Sequence, residues 1–238
     1  RSEVEHIKRR LVLKETLSNL ARQLYSLYID NRHARNSEDT RAADAFLAHE
    51  AVKQAQHTKG FYERLYLYQC YCWHAFITQN FLVYYRYCQK WVDLFDADPK
   101  MIDIETAHYI KGLHNLMGAH FDLRNYQKFN DTIQVFEQLM NTPVIQHNRN
   151  NLIQTFIYLN ISKLNKHFME GTFSEGLEMV PYIEEKLAEY ELYLDRHRIL
   201  VFYYKIASLY FGSGNFDKSV DYLNNIINWK VDLRTDLQ

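Results

Sequence analysis

Between residues 203 and 226 the apolar positions fall into two helical stripes separated by a short polar break. Tyr203, Ile206, Ala207 and Tyr210 make the first stripe; Phe216, Ser219, Leu223 and Ile226 make the second. Gly214 stands between them, where a left-handed residue can end the first helix. The same layout precedes it in the chain. Leu113, Leu116, Met117 and His120 lead to Tyr126, Phe129, Ile133 and Phe136, with the bulky Phe129 where the last unit has Ser219. Ile157, Ile161, Leu164 and Phe168 lead to Phe173 and the small Gly176, about one residue out of register, and Phe81 is followed by Tyr84, Cys88 and Trp91. In each case a small or polar pair precedes an aromatic: Gln79-Asn80-Phe81, Arg124-Asn125-Tyr126, Gly171-Thr172-Phe173 and Gly214-Asn215-Phe216. The aromatics are spaced by 45, 47 and 43 residues, which is the mark of an internal repeat.

Before the repeats, residues 3–33 and 39–57 read as one more helical hairpin, opened by Asn36-Ser37-Glu38-Asp39. Asp96-Ala97-Asp98-Pro99 and Asn141-Thr142-Pro143 each close one hairpin and open the next, because proline and the residue before it resist continuing a helix. Pro181 falls inside the helix expected after Phe173 and predicts a kink there. Leu233 to Gln238 reads as the start of a further helix, so the array is expected to continue.

The large, small and aromatic positions of the last unit, with Ala207 and Ser219 as the small residues, resemble the tetratricopeptide (TPR) signature. The resemblance extends over about residues 60–229 and is similar to that of bacterial TPR-like proteins with long repeats. It implies an all-α fold, a right-handed α–α superhelix (a TPR-like solenoid) of about five antiparallel helical hairpins in a single repeat domain, 1–238. In that arrangement 1–58 is an N-terminal hairpin without the signature, 59–229 hold four TPR-like hairpins, and 230–238 begin another helix. A repeat of about 45 residues, against the usual 34 or so, implies helices one or two turns longer than the family's norm. The resemblance also implies a concave groove lined by the first helix of each hairpin. Carried over residue by residue, its peptide-binding positions are Tyr66, Gln69 and Trp73; Lys111, His114 and Asn115; Tyr158 and Asn165; and Tyr204, Lys205 and Ser208. Lys111, Asn115, Asn165 and Lys205 loosely resemble the Lys/Asn set with which some TPR domains hold a peptide's terminal carboxylate.

Composition narrows the picture. With only 7 glycines and 3 prolines in 238 residues, the frequent turns of a β-sandwich or barrel are not available. Apolar residues make up 47% of the chain and aromatics 15%, which excludes disorder and suits helices packed on two sides. The net charge of −1 gives no overall attraction to nucleic acid or to acidic membranes, and no apolar run approaches the roughly 20 residues of a membrane span. Lys8-Arg9-Arg10, Lys14 and Arg22 make the start of the chain locally basic, but Glu3, Glu5 and Glu15 are interspersed, as on a solvated helix face. Cys70, Cys72 and Cys88 are an odd number without a CxxC pair, so buried free thiols and a cytoplasmic location are expected. The chain begins at Arg1 without Met, which leaves open both a fragment and a processed protein.

No catalytic, cofactor-binding or metal-binding residue is expected. His49-Glu50 is followed by Lys53 where a zinc-protease helix needs its second histidine. His108, His114 and His120 recur every six residues and cannot share a helix face. Asp93 and Asp96 lack the full acidic run of helical terpenoid enzymes, and Gln134 and Gln138 break their second metal motif after Asn130-Asp131. Phosphate-binding glycine loops and the GxSxG elbow are absent. The expected function is a non-catalytic scaffold for a protein or peptide ligand. The alternative is a structural module that self-associates through its terminal hairpins or docks on another part of a longer chain.

Overall fold

The computed structural model describes residues 2–229; the expected helix start at 230–238 lies outside the described residues. All regular structure among the described residues is helical. The chain divides into two compact units, 1–125 and 126–238, and the division falls between the two helices expected to form the hairpin around Tyr126.

The first unit holds α1 (Ser2–Asn31), α2 (Ser37–Leu47), α3 (Glu50–Ala55), α4 (Phe61–Ile77), α5 (Phe81–Ala97), α6 (Lys100–Ile104) and α7 (Thr106–Asp122). Leu13, Leu17, Leu20, Ala21 and Leu24 give α1 one apolar face, and it packs with Leu67, Cys70 and Ile77 of α4. Successive contacts fix the direction. Arg10 meets Glu63, the Cys70 thiol reaches the Leu17 carbonyl at 3.7 Å, and Tyr28 packs on Phe76 with ring centroids 5.1 Å apart. α1 and α4 therefore run parallel. Between α4 and α5 the sense reverses: Phe61 meets Phe95, Tyr71 stacks on Tyr87 at 4.3 Å, and Phe76 meets Tyr84. α7 turns back again, with Tyr109 on Phe95 and His120 beside Tyr85. Gly112 permits this last packing, because a Cβ there would come within 3.1 Å of the buried Trp91 indole.

One ion pair anchors the start of α4. Glu63 is buried and accepts a 2.6 Å hydrogen bond from the Arg10 guanidinium. Burial alone would raise its carboxyl pKa, but the hydrogen bond and charge of Arg10 more than offset that and hold it below the ordinary value. Gly60 leaves room for the pair, since a Cβ there would fall 2.0 Å from a Glu63 carboxylate oxygen.

The second unit holds α8 (Tyr126–Met140), α9 (Pro143–Gln146), α10 (Arg149–Glu170), α11 (Phe173–Gly176), α12 (Val180–Glu189), α13 (Arg196–Gly212) and α14 (Phe216–Asn228). α10 and α13 run parallel, with Phe156 stacked on Phe202 and Asn165 bonded to Lys205. α14 returns antiparallel to α13: Phe211 packs on Phe216 near the turn and Tyr203 on Tyr222 farther from it, and between them Ser219 donates a 2.9 Å hydrogen bond to the Ala207 carbonyl. The small pair read from the sequence thus meets directly across the two helices. Gly176 plays the same part against α13, where a Cβ would lie 2.9 Å from Leu209.

The repeat is visible in the backbone. Phe81, Tyr126, Phe173 and Phe216 are each the first residue of a helix. Two positions before each stands a left-handed residue: Gln79 (φ 56°), Arg124 (53°), Gly171 (70°) and Gly214 (84°). The residue between donates its N–H to a carbonyl five positions back: Asn80 to Ala75, Asn125 to His120, Thr172 to His167 and Asn215 to Tyr210. These are Schellman closures, which satisfy carbonyls that a helix end leaves without a partner. Asn80 and Asn215 then cap the following helix through their side chains.

Three details differ from the sequence expectations. The second arm of the first hairpin is broken at Ala48 and His49, where the extended His49 caps α3 by accepting from the Ala51 N–H. Short α6 and α9 lie after Ala97 and Met140, where only turns were expected. Pro181 produces no kink within one helix. The chain instead tightens into a 3-10 turn over Leu177–Met179, and the proline sits in the first turn of α12, where its missing N–H costs nothing.

The left-handed turns give a paired prediction. Gly214→Ala should lower stability by about 1 kcal/mol, because a Cβ is strained at positive φ. Gln79→Gly, at the equivalent turn, should raise it by up to about 1 kcal/mol. Urea unfolding of both variants checks the pair through opposite shifts of the midpoint.

Candidate functional site

The eleven residues expected to line a groove fall on two helices in each unit, α4 and α7 in the first and α10 and α13 in the second. In the first, α4 and α7 run parallel and present Tyr66, Trp73, Lys111 and His114 as half-buried side chains. Trp73 is framed on one side by Tyr25, Tyr28 and Phe76, at ring separations of 4.7, 6.1 and 6.2 Å. From α7, Lys111 places its ammonium 5.8 Å from the Trp73 ring centroid. A cation near an indole face is held by the ring's quadrupole. Tyr66 meets the edge of His108, whose Nδ1 is 3.0 Å from Glu105. Gln69 and Asn115 lie on the same helices but are buried, which leaves them little surface for a ligand.

In the second unit the cluster lies on α10 and α13. Lys205 donates a 2.5 Å hydrogen bond to Asn165 Oδ1, and its ammonium lies 5.5 Å from the Phe168 ring. No carboxylate of a described residue pairs with Lys205. Burial without a counter-charge lowers its pKa to about 8. One turn along α13, Ser208 donates to the Tyr204 carbonyl at 2.8 Å, and the Tyr204 ring is exposed. Tyr158 is buried, with the Arg198 guanidinium 5.3 Å from its ring centroid.

The sequence reading thus contains two pairs that the structure brings together, Trp73 with Lys111 and Asn165 with Lys205. It lacks their supports: Tyr25 and Tyr28 on α1, His108, and Phe168 beneath the amine. Phe168 had a signal, since it belongs to the Ile157-Ile161-Leu164-Phe168 stripe. Tyr25 and Tyr28 had none, because the first hairpin carries no signature to align.

Other chemistry is confined to packing. Cys72 and Cys88 face each other across α4 and α5 at 3.7 Å while Cys70 faces α1, so Cys70 and Cys72 point to different neighbours. All three thiols are free and buried, and desolvation pushes Cys70 to about 12. Among the described residues no group of three His, Cys, Asp or Glu side chains is arranged to hold a metal ion. No described helix is long and apolar enough to cross a membrane.

Lys205 carries a pH prediction. Its amine is lowered to about 8 in the folded chain, below the usual lysine value near 10.4 in the unfolded one. Over that interval the unfolded state binds more protons, so this residue's contribution to stability rises with pH. Lys205→Met should remove that rise: the gain in denaturant midpoint on going from pH 7 to pH 10 should be smaller in the variant than in the parent chain.

Compared with protein-family models, with curated proteins and with solved structures, the chain matches none.

Proposed function

We propose that this chain is a non-catalytic binding scaffold of TPR-like type, in which the parallel first helices of successive hairpins hold an extended peptide through an acidic group. The observation that carries the reading is Lys205: a part-buried ammonium whose hydrogen-bond acceptor is the neutral Asn165 and which has no carboxylate partner among the described residues. A buried cation without a counter-ion is costly, and an incoming carboxylate supplies the missing charge. The bond to Asn165 fixes the amine's direction and leaves its remaining donors for the ligand. Phe168 shields one side from water, which strengthens the attraction. The exposed Tyr204 ring, one turn from Ser208, offers an apolar contact beside the charge.

Trp73 with Lys111 presents the same combination of aromatic face and cation in the first unit. The alternation of parallel and antiparallel neighbours within each unit, and the four like turns, support an array of about five hairpins. Groove recognition of this kind is largely preformed and draws on polar contacts and aromatic packing rather than on chemistry at a reacting centre. Three buried free thiols fit a reducing compartment such as the cytoplasm.

The test is a library of short fluorescent peptides, each made with a free and with an amidated C-terminus and also sampling Asp and Glu side chains. Binding should favour peptides with a free or side-chain carboxylate. Lys205→Met should weaken the best of them about tenfold or more, the usual cost of removing a charge-assisted partner. Trp73→Ala combined with Lys111→Glu reports whether the first unit takes part. Binding that ignores both the carboxylate and Lys205, or no binding across the library, would sink the reading.

A further inference from the structure

α1 carries a second apolar face that no described residue of the chain covers. Val4, Ile7 and Leu11 are 57%, 51% and 58% exposed. At about 100° per residue they fall in one band roughly 60° wide, and that band lies about 140° round the helix from Leu13, Leu17, Leu20 and Leu24, which face the core. The register of α1 on α4 explains the exposure. Arg10 meets Glu63 close to the first residue of α4, so the first two turns of α1 extend past the end of its parallel neighbour. Residues 3–12 are exposed without exception.

We infer that this overhang pairs with the overhang of a second copy of the chain, antiparallel about a two-fold axis near Ile7. With the axis between Ile7 and Lys8, Val4 of one copy shares a layer with Leu11 of the other, and Ile7 meets its own symmetry mate. The apolar band is therefore self-complementary. The pairing overlaps residues 2–13 alone, which is the stretch that projects clear of the other helices.

The charges select the same partner. Glu3, Arg10 and Lys14 border the band on one flank, and in an antiparallel two-fold pair like flanks meet. Glu3 then lies between Arg10 and Lys14 of the second copy, about 3 Å from each along the helix axis. Arg10 also holds Glu63, while Lys14 lies 3.9 Å over the Tyr62 ring, so Lys14 is the freer of the two. On the other flank Lys8 comes opposite its own mate, a rim pair of like charge that salt screens. The contact is small by the standard of stable dimers, so association is weak and depends on concentration. It is isologous and closes at two chains.

The experiment is sedimentation velocity on the chain from micromolar to near-millimolar concentration, with folding of each variant confirmed by circular dichroism. The mass should rise from one chain to two and stop. Ile7→Glu, at an exposed position, should weaken the association tenfold or more. Glu3→Lys and Lys14→Glu should each weaken it a few-fold, and the double exchange should restore it. A single-chain mass at every concentration overturns the inference and assigns the face to a different partner. So does a mass that climbs past two, a dimer indifferent to Ile7→Glu, or a double exchange that fails to recover what the single exchanges lose. Peptide binding at Lys205 is independent of these outcomes.

Discussion

Four left-handed residues hold the repeat together. At Gln79, Arg124, Gly171 and Gly214 the chain leaves one helix and starts the next two residues later, and each turn is tied by the same backbone hydrogen bond across six residues. That closure is steric in origin. A residue at positive φ ends a helix within one turn, and here the next helix begins two residues later. Two of the four positions are glycine; Gln79 and Arg124 bear side chains there and carry the strain. The long helices, their alternation of direction and the meeting of Ala207 with Ser219 all follow from where these turns occur.

This constraint made much of the fold legible. The aromatics at 81, 126, 173 and 216 were recognisable because a turn of this kind puts small or polar residues just before a new helix. Their side chains are not the reason, since Phe81, Tyr126 and Phe216 are exposed. What escaped the sequence was short or local. α6 and α9 span five and four residues, too few for a periodic pattern to declare itself. The break at His49 depends on a side chain capping a backbone N–H, and the 3-10 turn before Pro181 on a choice between bending and tightening that composition does not decide.

The candidate site was legible to the extent that it depends on helix faces. Trp73, Lys111, Asn165 and Lys205 were named through the TPR resemblance, and parallel packing of neighbouring helices brings them into pairs. Burial was not legible. Gln69, Asn115 and Tyr158 were expected at groove positions from the resemblance, yet they are buried. Whether a given turn of helix is covered depends on how far each helix slides along the next, and the register of α1 on α4, set by Arg10 and Glu63, shows how one ion pair decides that slide. The electrostatic character of Lys205 was equally hidden. Lysine is common on helix surfaces, and what makes this one unusual is a part-buried position with no acidic partner among the described residues.

The three thiols have a consequence of another kind. Cys70, Cys72 and Cys88 all belong to the first unit, and the second unit contains no cysteine. Each is buried, and Cys70 and Cys72 hold their protons well above the range in which a thiol reacts readily. A thiol reagent therefore reaches them only when α4 and its neighbours separate. The speed of labelling is a clock for the opening of residues 1–125 alone, and it runs in the intact protein without any introduced probe.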